Sequence, residues 1–170
     1  MPLGQVKIIY FPDLQSRGLV MAAVLEVGGV DYEFTPQDQG LFFEPGGKAK
    51  YSIWGAMPEM QLPDGTRVAE ICAICGLLAN YYPKLKGATA ADMGISMMIG
   101  SKMNDLYASM GFAVAMNMTK GMWEDPKQVD GLIKDHLAKM ETSAPIIKQF
   151  EGLVLPSGKF TSTGTTWGEI

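Results

Sequence analysis

The alternation of apolar and polar residues predicts a small α/β layer in the first half of this chain. Segments with the β-branching or alternation of strands recur between turn residues, at 6–11, 30–36, 58–62 and 66–69. Two further segments, 16–27 and 70–82, have apolar residues at helical spacing. Ser16 is a residue type that caps helices, and the glycines at 28–29 end the first helix. The segment 37–50, rich in glycine and aromatic residues, is predicted to be irregular.

The second half of the chain has the pattern of long helices. Thr89 and Asp92 have the spacing of a capping box, and they predict a helix that runs to about Asn117. Pro126 suits the first turn of a second helix, which is predicted to end near Glu151. We therefore expect a helical unit to follow the α/β layer.

The two halves meet at a short polar segment, PKLKGAT, at residues 83–89. Its proline, glycine and lysines are typical of a connection between separately packed units. A chain of 170 residues has room for one large domain or two small ones. We predict two, an α/β domain over 1–83 and a helical domain over 84–170.

Composition and charge narrow the function classes. The formal net charge of −4 argues against a nucleic-acid interface, because phosphate contacts need clustered lysine and arginine. No apolar stretch reaches the roughly 18 residues of a membrane-spanning helix, and the first residues, MPLGQVK, lack the layout of an export signal. We expect a cytoplasmic location, with a plastid location left open because a transit segment could precede this sequence.

Methionine is frequent, with 13 in the chain, most of them between Met93 and Met122. Methionine fills irregular apolar space, and it also serves adaptable binding surfaces. The first interpretation is a helical core packed with methionine, and the alternative is a methionine-rich docking surface. Binding of a soft metal is not expected, because no histidine or cysteine lies among these methionines.

Cys72 and Cys75 form a C-x-x-C pattern of the kind found in thioredoxin-like redox enzymes. They lie inside the predicted 70–82 helix among apolar residues, whereas such a redox pair belongs at the first strand-to-helix junction. We therefore expect core cysteines that pack as small hydrophobic side chains. His136, the only histidine, has no carboxylate or cysteine pattern beside it, so we expect a structural or surface role.

Tyr10 ends the first predicted strand, directly before the first predicted helix. Its ring could close the core, or its hydroxyl could be held at this junction to take part in chemistry. Position alone favours the core interpretation. The surrounding segments bear on the choice, because their order along the chain matches a known family.

The ordered set of segments resembles the cytosolic glutathione transferases, most closely the sigma-like branch that uses a catalytic tyrosine. KIIYF with Ser16-Arg17-Gly18 resembles the family's first strand and helix start, and VDYEF resembles its second strand. WGAMPEMQLPDGTRVAEICAICGLLA resembles the segment with the family's cis-proline and glutathione-carboxylate site. TSAPIIKQFEGLV and TTWGEI resemble the end of its fifth helix and the start of its sixth. The resemblance implies a thioredoxin-like N-terminal domain followed by an incomplete helical domain.

The same resemblance implies that Tyr10 and Arg17 are catalytic, with glutathione as co-substrate and no metal. A tyrosine hydroxyl that donates to the glutathione sulfur stabilises the thiolate, which is the reactive form. Positive charge from Arg17 and from the start of the first helix favours the thiolate further. The electrophile would lie against the helical half, near Asp105, Tyr107 and Phe112.

The implied glutathione-binding residues come from several short segments. Met57 precedes the implied cis-proline, Pro58, and its backbone would pair with the cysteinyl part of glutathione as an added strand does. Glu70 would hold the γ-glutamyl end. The remaining implied contacts are Phe11, Phe43, Lys48 and Ile71, with Lys50 as a competitor of Lys48 for the glycyl carboxylate.

Several positions depart from the family's pattern. Ile71 stands where a serine hydroxyl meets the γ-glutamyl carboxylate, which should weaken binding by about 1–3 kcal/mol. Phe43 replaces a tryptophan and its indole N–H, and Ser101 stands where sigma-like members place an aspartate. Thr166 and Glu169 form a capping box with no helix after it. We expect either part of a longer chain or a truncated relative whose exposed helix faces need a partner.

Two functions follow from these residues. The first is a glutathione transferase or isomerase that acts on a small apolar electrophile, as a homodimer. The second is a non-catalytic subunit of the same fold that binds within, or supports, a larger assembly. The retained site residues favour the first: Tyr10, Arg17, Pro58 and Glu70. The departures favour the second: Ile71, Phe43 and Ser101, together with the methionines. We place the enzyme first, because the hydroxyl most important for the chemistry is present.

Overall fold

The computed structural model describes residues 2–12, 17–110, 126–162 and 166–170 of the chain. The strands are β1 (Val6–Tyr10), β2 (Tyr32–Pro36), β3 (Glu59–Gln61) and β4 (Arg67–Ala69). The α-helices are α1 (Arg17–Gly28), α2 (Gln39–Phe43), α3 (Gly47–Tyr51), α4 (Ile71–Tyr81), α5 (Ala90–Met110) and α6 (Pro126–Leu153). Short 3-10 turns lie at Pro83–Leu85 and Trp167–Glu169. No helix within these described ranges has the length and hydropathy to cross a membrane.

The described strands form one mixed sheet in the order β2-β1-β3-β4. β1 runs parallel to β2 and antiparallel to β3, and β3 pairs with β4 in a hairpin. Ile8 lies opposite Phe34 on one neighbour and Met60 on the other. Because side chains alternate along a strand, Val6, Ile8 and Tyr10 share the buried face of β1.

The core lies between this sheet and the helices α1 and α4. Its fully buried side chains include Met21, Val24 and Leu25 of α1 and Ile74 and Leu78 of α4. Burial of one such side chain contributes about 1.5–3 kcal/mol. A four-stranded mixed sheet with this helix cover, followed by the long helices α5 and α6, confirms the predicted thioredoxin-like layer and helical half.

The predicted linker at 83–89 packs against the core instead of lying free. Its first residues form a 3-10 turn, and Leu85 is fully buried among side chains of α1 and α4. Leu85 lies between two exposed lysines, Lys84 and Lys86, so the sequence pattern of this segment is polar and does not indicate that Leu85 is buried. The division into 1–83 and 84–170 remains a prediction.

The segment 37–50 forms two short helices, so the prediction of an irregular segment is wrong. Asp38 caps α2 by accepting a hydrogen bond from the amide of Leu41 at 2.8 Å. Gly46, at φ 81°, supplies the left-handed turn into α3. Phe42 is buried and anchors α2. Helices of about one turn are too short to repeat an apolar spacing, which is why the pattern did not reveal them.

The predicted capping box begins α5. The amide of Thr89 donates to Asp92 Oδ2 at 3.0 Å, and the amide of Asp92 donates to Thr89 Oγ1 at 3.0 Å. Asp92 Oδ1 also accepts from the amide and the hydroxyl of Ser162, each at 3.2 Å. Asp92 thus caps the helix and fastens a distant segment to it. The predicted continuation of this helix to Asn117 lies outside the described residues, as does the Ser16 cap of α1.

The interpretation of a methionine-packed core is wrong for three methionines on the described part of α5. Met97, Met98 and Met103 expose 46%, 50% and 48% of their surface. The buried line of this helix is occupied by other residues, namely Asp92, Ser96, Ile99 and Leu106. At about 3.6 residues per turn, positions 97 and 98 lie on a different face of the helix from these buried residues. The methionines between 111 and 125 lie outside the described residues.

The predicted capping box at the chain end is present, and a 3-10 turn follows it. The carboxylate of Glu169 accepts from the amide of Thr166 at 2.8 Å and from the amide of Phe160 at 2.8 Å. Trp167 is buried against Gly100 of α5, where an added Cβ would lie 2.5 Å from the ring atom Cη2. The last residues are therefore packed on α5 by a close helix-to-indole approach.

Candidate functional site

Tyr10 lies at the end of β1 with its ring against the first turn of α1. Its side chain is buried, and a Cβ added to Gly18 would lie 2.6 Å from the ring atom Cε1. The pKa of Tyr10 is raised, mainly because its side chain is buried. The hydrogen bond with the Gly18 amide lowers this pKa, the nearby Tyr107 raises it further, and the positive charge of Arg17 lowers it. Because a tyrosine hydroxyl is protonated at neutral pH even without this upward shift, Tyr10 has a proton available for donation to a ligand.

Arg17 is the first residue of α1 and lies beside Tyr107 of α5. Its guanidinium carbon is 4.9 Å from the centre of the Tyr107 ring, which is the range of a cation–π contact. Arg17 Nε is buried and has no hydrogen-bond partner among the described residues. Because an unsatisfied buried donor is unfavourable, an acceptor brought here by a ligand would be stabilised.

A cleft brings together predicted site residues from three separate segments. Its lining consists of Arg17, Met57, Pro58, Glu70 and Ile71, together with Ala56 and Asn104. The Met57–Pro58 peptide bond is cis, as predicted. Met57 is buried in one cluster with Tyr10, which is itself outside the described lining of the cleft.

Glu70 joins β4 to α4 in an unusual backbone conformation. Its φ is 70° and its ψ 118°, and a positive φ is uncommon outside glycine. Backbone strain of this kind persists where surrounding structure demands it, often at functional sites. Ile71 follows as the first residue of the 11-residue helix α4. The cleft therefore lies at a helix N-terminus, where backbone N–H groups and the helix dipole favour an anion.

Phe11, Phe43 and Lys48 belong to an aromatic cluster beside the cleft, outside its described lining. The Phe11 ring lies 5.2 Å from that of Tyr10 and 5.7 Å from that of Phe43, centre to centre. Lys48 Nζ is 5.3 Å from the centre of the Phe43 ring. Lys50 instead lies over the ring of the tyrosine that follows it, at 4.8 Å. That tyrosine, Tyr51, also packs against the cluster of Tyr10, so both lysines lie on rings around it.

A mainly apolar cavity of about 390 Å³ adjoins the cleft, and Arg17, Ile71 and Asn104 line both. Its other walls come from α1, α4, α5 and the chain end, and they include Tyr107 and Trp167. Sequence reasoning found Tyr107 and missed Asn104. Their spacing could have indicated Asn104, because it lies three residues before Tyr107 and residues three apart on a helix share one face.

Asp105, also predicted near the electrophile, is not in the described lining of this cavity. Asp105 is exposed, and its Oδ2 lies 3.7 Å from Lys102 Nζ. Phe112 lies outside the described residues. Ser101 is also exposed, and its hydroxyl donates to the sulfur of Cys72 at 3.7 Å.

Both cysteines are free thiols in α4, and their surroundings disfavour the thiolate. Cys75 is buried, and burial raises the pKa of its thiol to about 12. Cys72 is half-buried, and burial raises the pKa of its thiol as well. Because the thiolate is the nucleophile, these values favour the predicted packing role over redox chemistry. The side chain of His136 lies outside the described residues, and no group of three or more potential metal ligands occurs among those described.

Comparison with solved structures identifies the fold. The chain superposes on a nematode-specific glutathione transferase of Caenorhabditis elegans with a TM-score of 0.69 and 23% identity, over 96% of this chain and 75% of that one. For the glutathione S-transferase of Ascaris lumbricoides the TM-score is 0.70 and the identity 21%, with the same coverage. A glutathione transferase homologue of Sulfitobacter, solved with bound glutathione, gives a TM-score of 0.64 and 15% identity over 96% of this chain and 77% of that one.

These similarities establish that the chain has the fold of the glutathione transferases. No protein-family model matches the chain, and no curated protein matches it. At these identities the comparison concerns the fold, and the chemistry has to be argued from the site itself.

Proposed function

We propose that this protein is a glutathione transferase-like enzyme in which Tyr10 activates the thiol of bound glutathione. The observation that carries the proposal is the cleft, where residues 17, 57, 58, 70 and 71 meet and where Met57 packs in the same buried cluster as Tyr10. The Sulfitobacter homologue of the same fold binds glutathione. The cleft itself is small, about 10 Å³, so a tripeptide thiol with two carboxylates would lie over it, against the guanidinium, the helix N-terminus and the extended backbone that border it.

Activation of the thiol follows from the protonation state of Tyr10. Its raised pKa keeps the hydroxyl protonated, so it can donate to a sulfur that becomes a thiolate. The Arg17 guanidinium and the N-terminal amides of α1 add positive potential at the same place. A hydrogen bond to a charged partner contributes about 1.5–3 kcal/mol, which corresponds to a thiol pKa lowered by about 1–2 units.

The two ends of glutathione would meet different parts of the site. The γ-glutamyl carboxylate would face the N-terminal amides of α4, with the Glu70 carboxylate beside its ammonium group. The backbone at Met57 would pair with the cysteinyl unit. Lys48 would meet the glycyl carboxylate, with Lys50 as the competing candidate, since each lysine lies over a ring of the cluster around Tyr10. Ile71 supplies a backbone amide but no hydroxyl, so binding should be weak for this fold.

The second substrate would be a small apolar electrophile held in the adjoining cavity. Tyr107 and Arg17 border that cavity, and its walls are mainly apolar. Attack by the thiolate on such a compound, or its isomerisation, fits an apolar cavity that opens beside an activated sulfur. We include a homodimer and a cytoplasmic location in the proposal.

Calorimetric titration of glutathione at neutral pH tests the proposal. We expect a Kd between micromolar and low millimolar for the wild type, and a bound thiol whose pKa is higher by about 1–2 units in Tyr10→Phe. Tyr32→Phe is the matched control, since its hydroxyl bonds to Glu26 of α1 at 3.0 Å and neither residue lines the cleft. A folded wild type that shows no heat at millimolar glutathione would overturn the proposal.

A non-catalytic subunit of the same fold is the second candidate. Exposed apolar side chains favour it, since Trp54 is 72% exposed and three methionines of α5 are about half exposed. Such surface suits contact with another protein. This candidate takes the lead if glutathione does not bind, and it predicts a stable complex larger than a homodimer in light scattering of the native material.

A further inference from the structure

Glu59 is a fully buried carboxylate directly after the cis-proline, and the site described above does not use it. It is the first residue of β3, and its relative exposure is 0%. Its Oε1 accepts from the hydroxyl of Ser52 at 2.5 Å and from the amide of Ile53 at 2.7 Å. Its Oε2 forms an ion pair with Arg67 Nη2. Burying a charge is very unfavourable unless it is paired and hydrogen-bonded, and here both conditions are met.

The partners of Glu59 reach the segment that precedes the cis-proline. Ser52 Oγ, which donates to Glu59, itself accepts from the amides of Trp54 at 3.2 Å and Ala56 at 3.0 Å. Together with the direct bond to the Ile53 amide, one carboxylate therefore orders three backbone amides between residues 52 and 56, one directly and two through Ser52. That segment leads directly into Met57 and forms part of the cleft wall at Ala56.

Arg67 extends the same network to the end of α3. Its Nη2 donates to the carbonyl oxygen of Tyr51 at 3.0 Å while pairing with Glu59. The hairpin of β3 and β4 thus holds the start of the 51–57 segment at three consecutive residues, Tyr51, Ser52 and Ile53. An apolar residue at position 59 could fill the same space, but it could not satisfy the Ile53 amide or the Ser52 hydroxyl.

We infer that Glu59 is a positioning residue that holds the 52–57 backbone in the conformation required to pair with a bound peptide. The inference rests on the proposed function for the identity of that peptide, glutathione. Its physical part, the ordering of the segment, stands on the hydrogen bonds alone. Glu59 acts through Ser52 and the backbone, so its loss should impair binding and leave the chemistry of a bound thiol unchanged.

The experiment compares Ser52→Ala and Glu59→Gln with Glu33→Gln, an exposed glutamate of the same sheet that pairs with Lys7 at 3.7 Å. Amide hydrogen exchange is measured at residues 53–57 without ligand. The glutathione Kd is measured by calorimetry, and kcat is measured with an activated aryl chloride as the electrophile. Ser52→Ala is the decisive variant, because it keeps the buried ion pair of Glu59 and Arg67, and we expect it to fold where Glu59→Gln does not. We expect exchange at 53–57 and the glutathione Kd each to rise about tenfold, with kcat at saturating glutathione unchanged.

A role confined to stability would lower the melting temperature of Ser52→Ala and leave the exchange and the Kd within about twofold of the wild type, and that result overturns the inference. A lower kcat at saturating glutathione also overturns the inference, because the segment would then contribute to the reaction of the bound thiol as well as to binding. If the wild type binds no glutathione, the proposed function fails, and exchange at 53–57 alone decides whether Glu59 orders the segment.

Discussion

The Arg17 guanidinium carbon lies 4.9 Å from the centre of the Tyr107 ring, which joins the start of α1 to α5 beside the cleft. The contact crosses between the α/β layer and the helical half, and both side chains line the adjoining cavity. Because Arg17 Nε has no partner among the described residues, the aromatic ring is an important restraint on this guanidinium. Tyr107 is therefore placed to restrain the charge next to Tyr10.

We predict that Tyr107→Leu weakens thiolate stabilisation, whereas Tyr107→Phe does not. A cation–π contact contributes about 0.5–2 kcal/mol, so removal of the ring should raise the pKa of the bound thiol by up to about 1 unit. Phenylalanine keeps the ring and serves as the matched control. Ultraviolet titration of the glutathione complexes measures the thiolate directly, and equal pKa values in both variants would show that the ring does not restrain Arg17.

Ile71→Ser should improve glutathione binding. A serine at the first position of α4 can donate its hydroxyl to the γ-glutamyl carboxylate, which contributes about 1–2 kcal/mol and lowers the Kd by about tenfold. Ile71→Ala is the control, because it removes the same bulk and supplies no hydroxyl. Calorimetry distinguishes the two. If alanine gained as much as serine, the limit at this position would be space and not a missing donor.

Two glycines of α5 should respond to alanine with opposite signs. An added Cβ at Gly100 would lie 2.5 Å from Cη2 of Trp167, whereas one at Gly94 would meet nothing within 4 Å. We expect Gly100→Ala to destabilise the protein by about 1–3 kcal/mol through overpacking. Gly94→Ala should stabilise it by up to about 1 kcal/mol through helix propensity. Urea unfolding measures both, and a neutral Gly100→Ala would place Trp167 elsewhere in solution.

Stability should fall at alkaline pH partly because of Cys75. Burial raises the pKa of its thiol to about 12, so the unfolded chain loses this proton first and the native state retains it. The stabilising contribution is complete below the unfolded pKa near 9 and is lost as the pH rises toward the folded value. Between pH 8 and pH 10 the wild type should lose about 1 kcal/mol more than Cys75→Ala. Identical pH dependence of the two unfolding free energies would contradict the buried thiol.

Local features of this chain were predictable because their signals lie within a few residues. The capping boxes at Thr89 and Thr166 each need a partner three residues away, and both are present. The strands and long helices follow from short-range spacing in the same way. The one-turn helices α2 and α3 were not predicted, because segments of five residues are too short to repeat an apolar spacing.

The sequence by itself determined the order of elements, the helix caps and the position of Tyr10 at a strand end, since backbone preference and apolar spacing are local properties. Only the tertiary structure decided which side chains meet. In the folded chain Leu85 of the predicted linker is buried, and three methionines of α5 are exposed. Arg17 contacts Tyr107, and the Glu59 carboxylate is bonded to Ser52 and Arg67. Those outcomes depend on the packing of segments distant in the chain, where space and unsatisfied polar groups, and not local propensity, choose the arrangement.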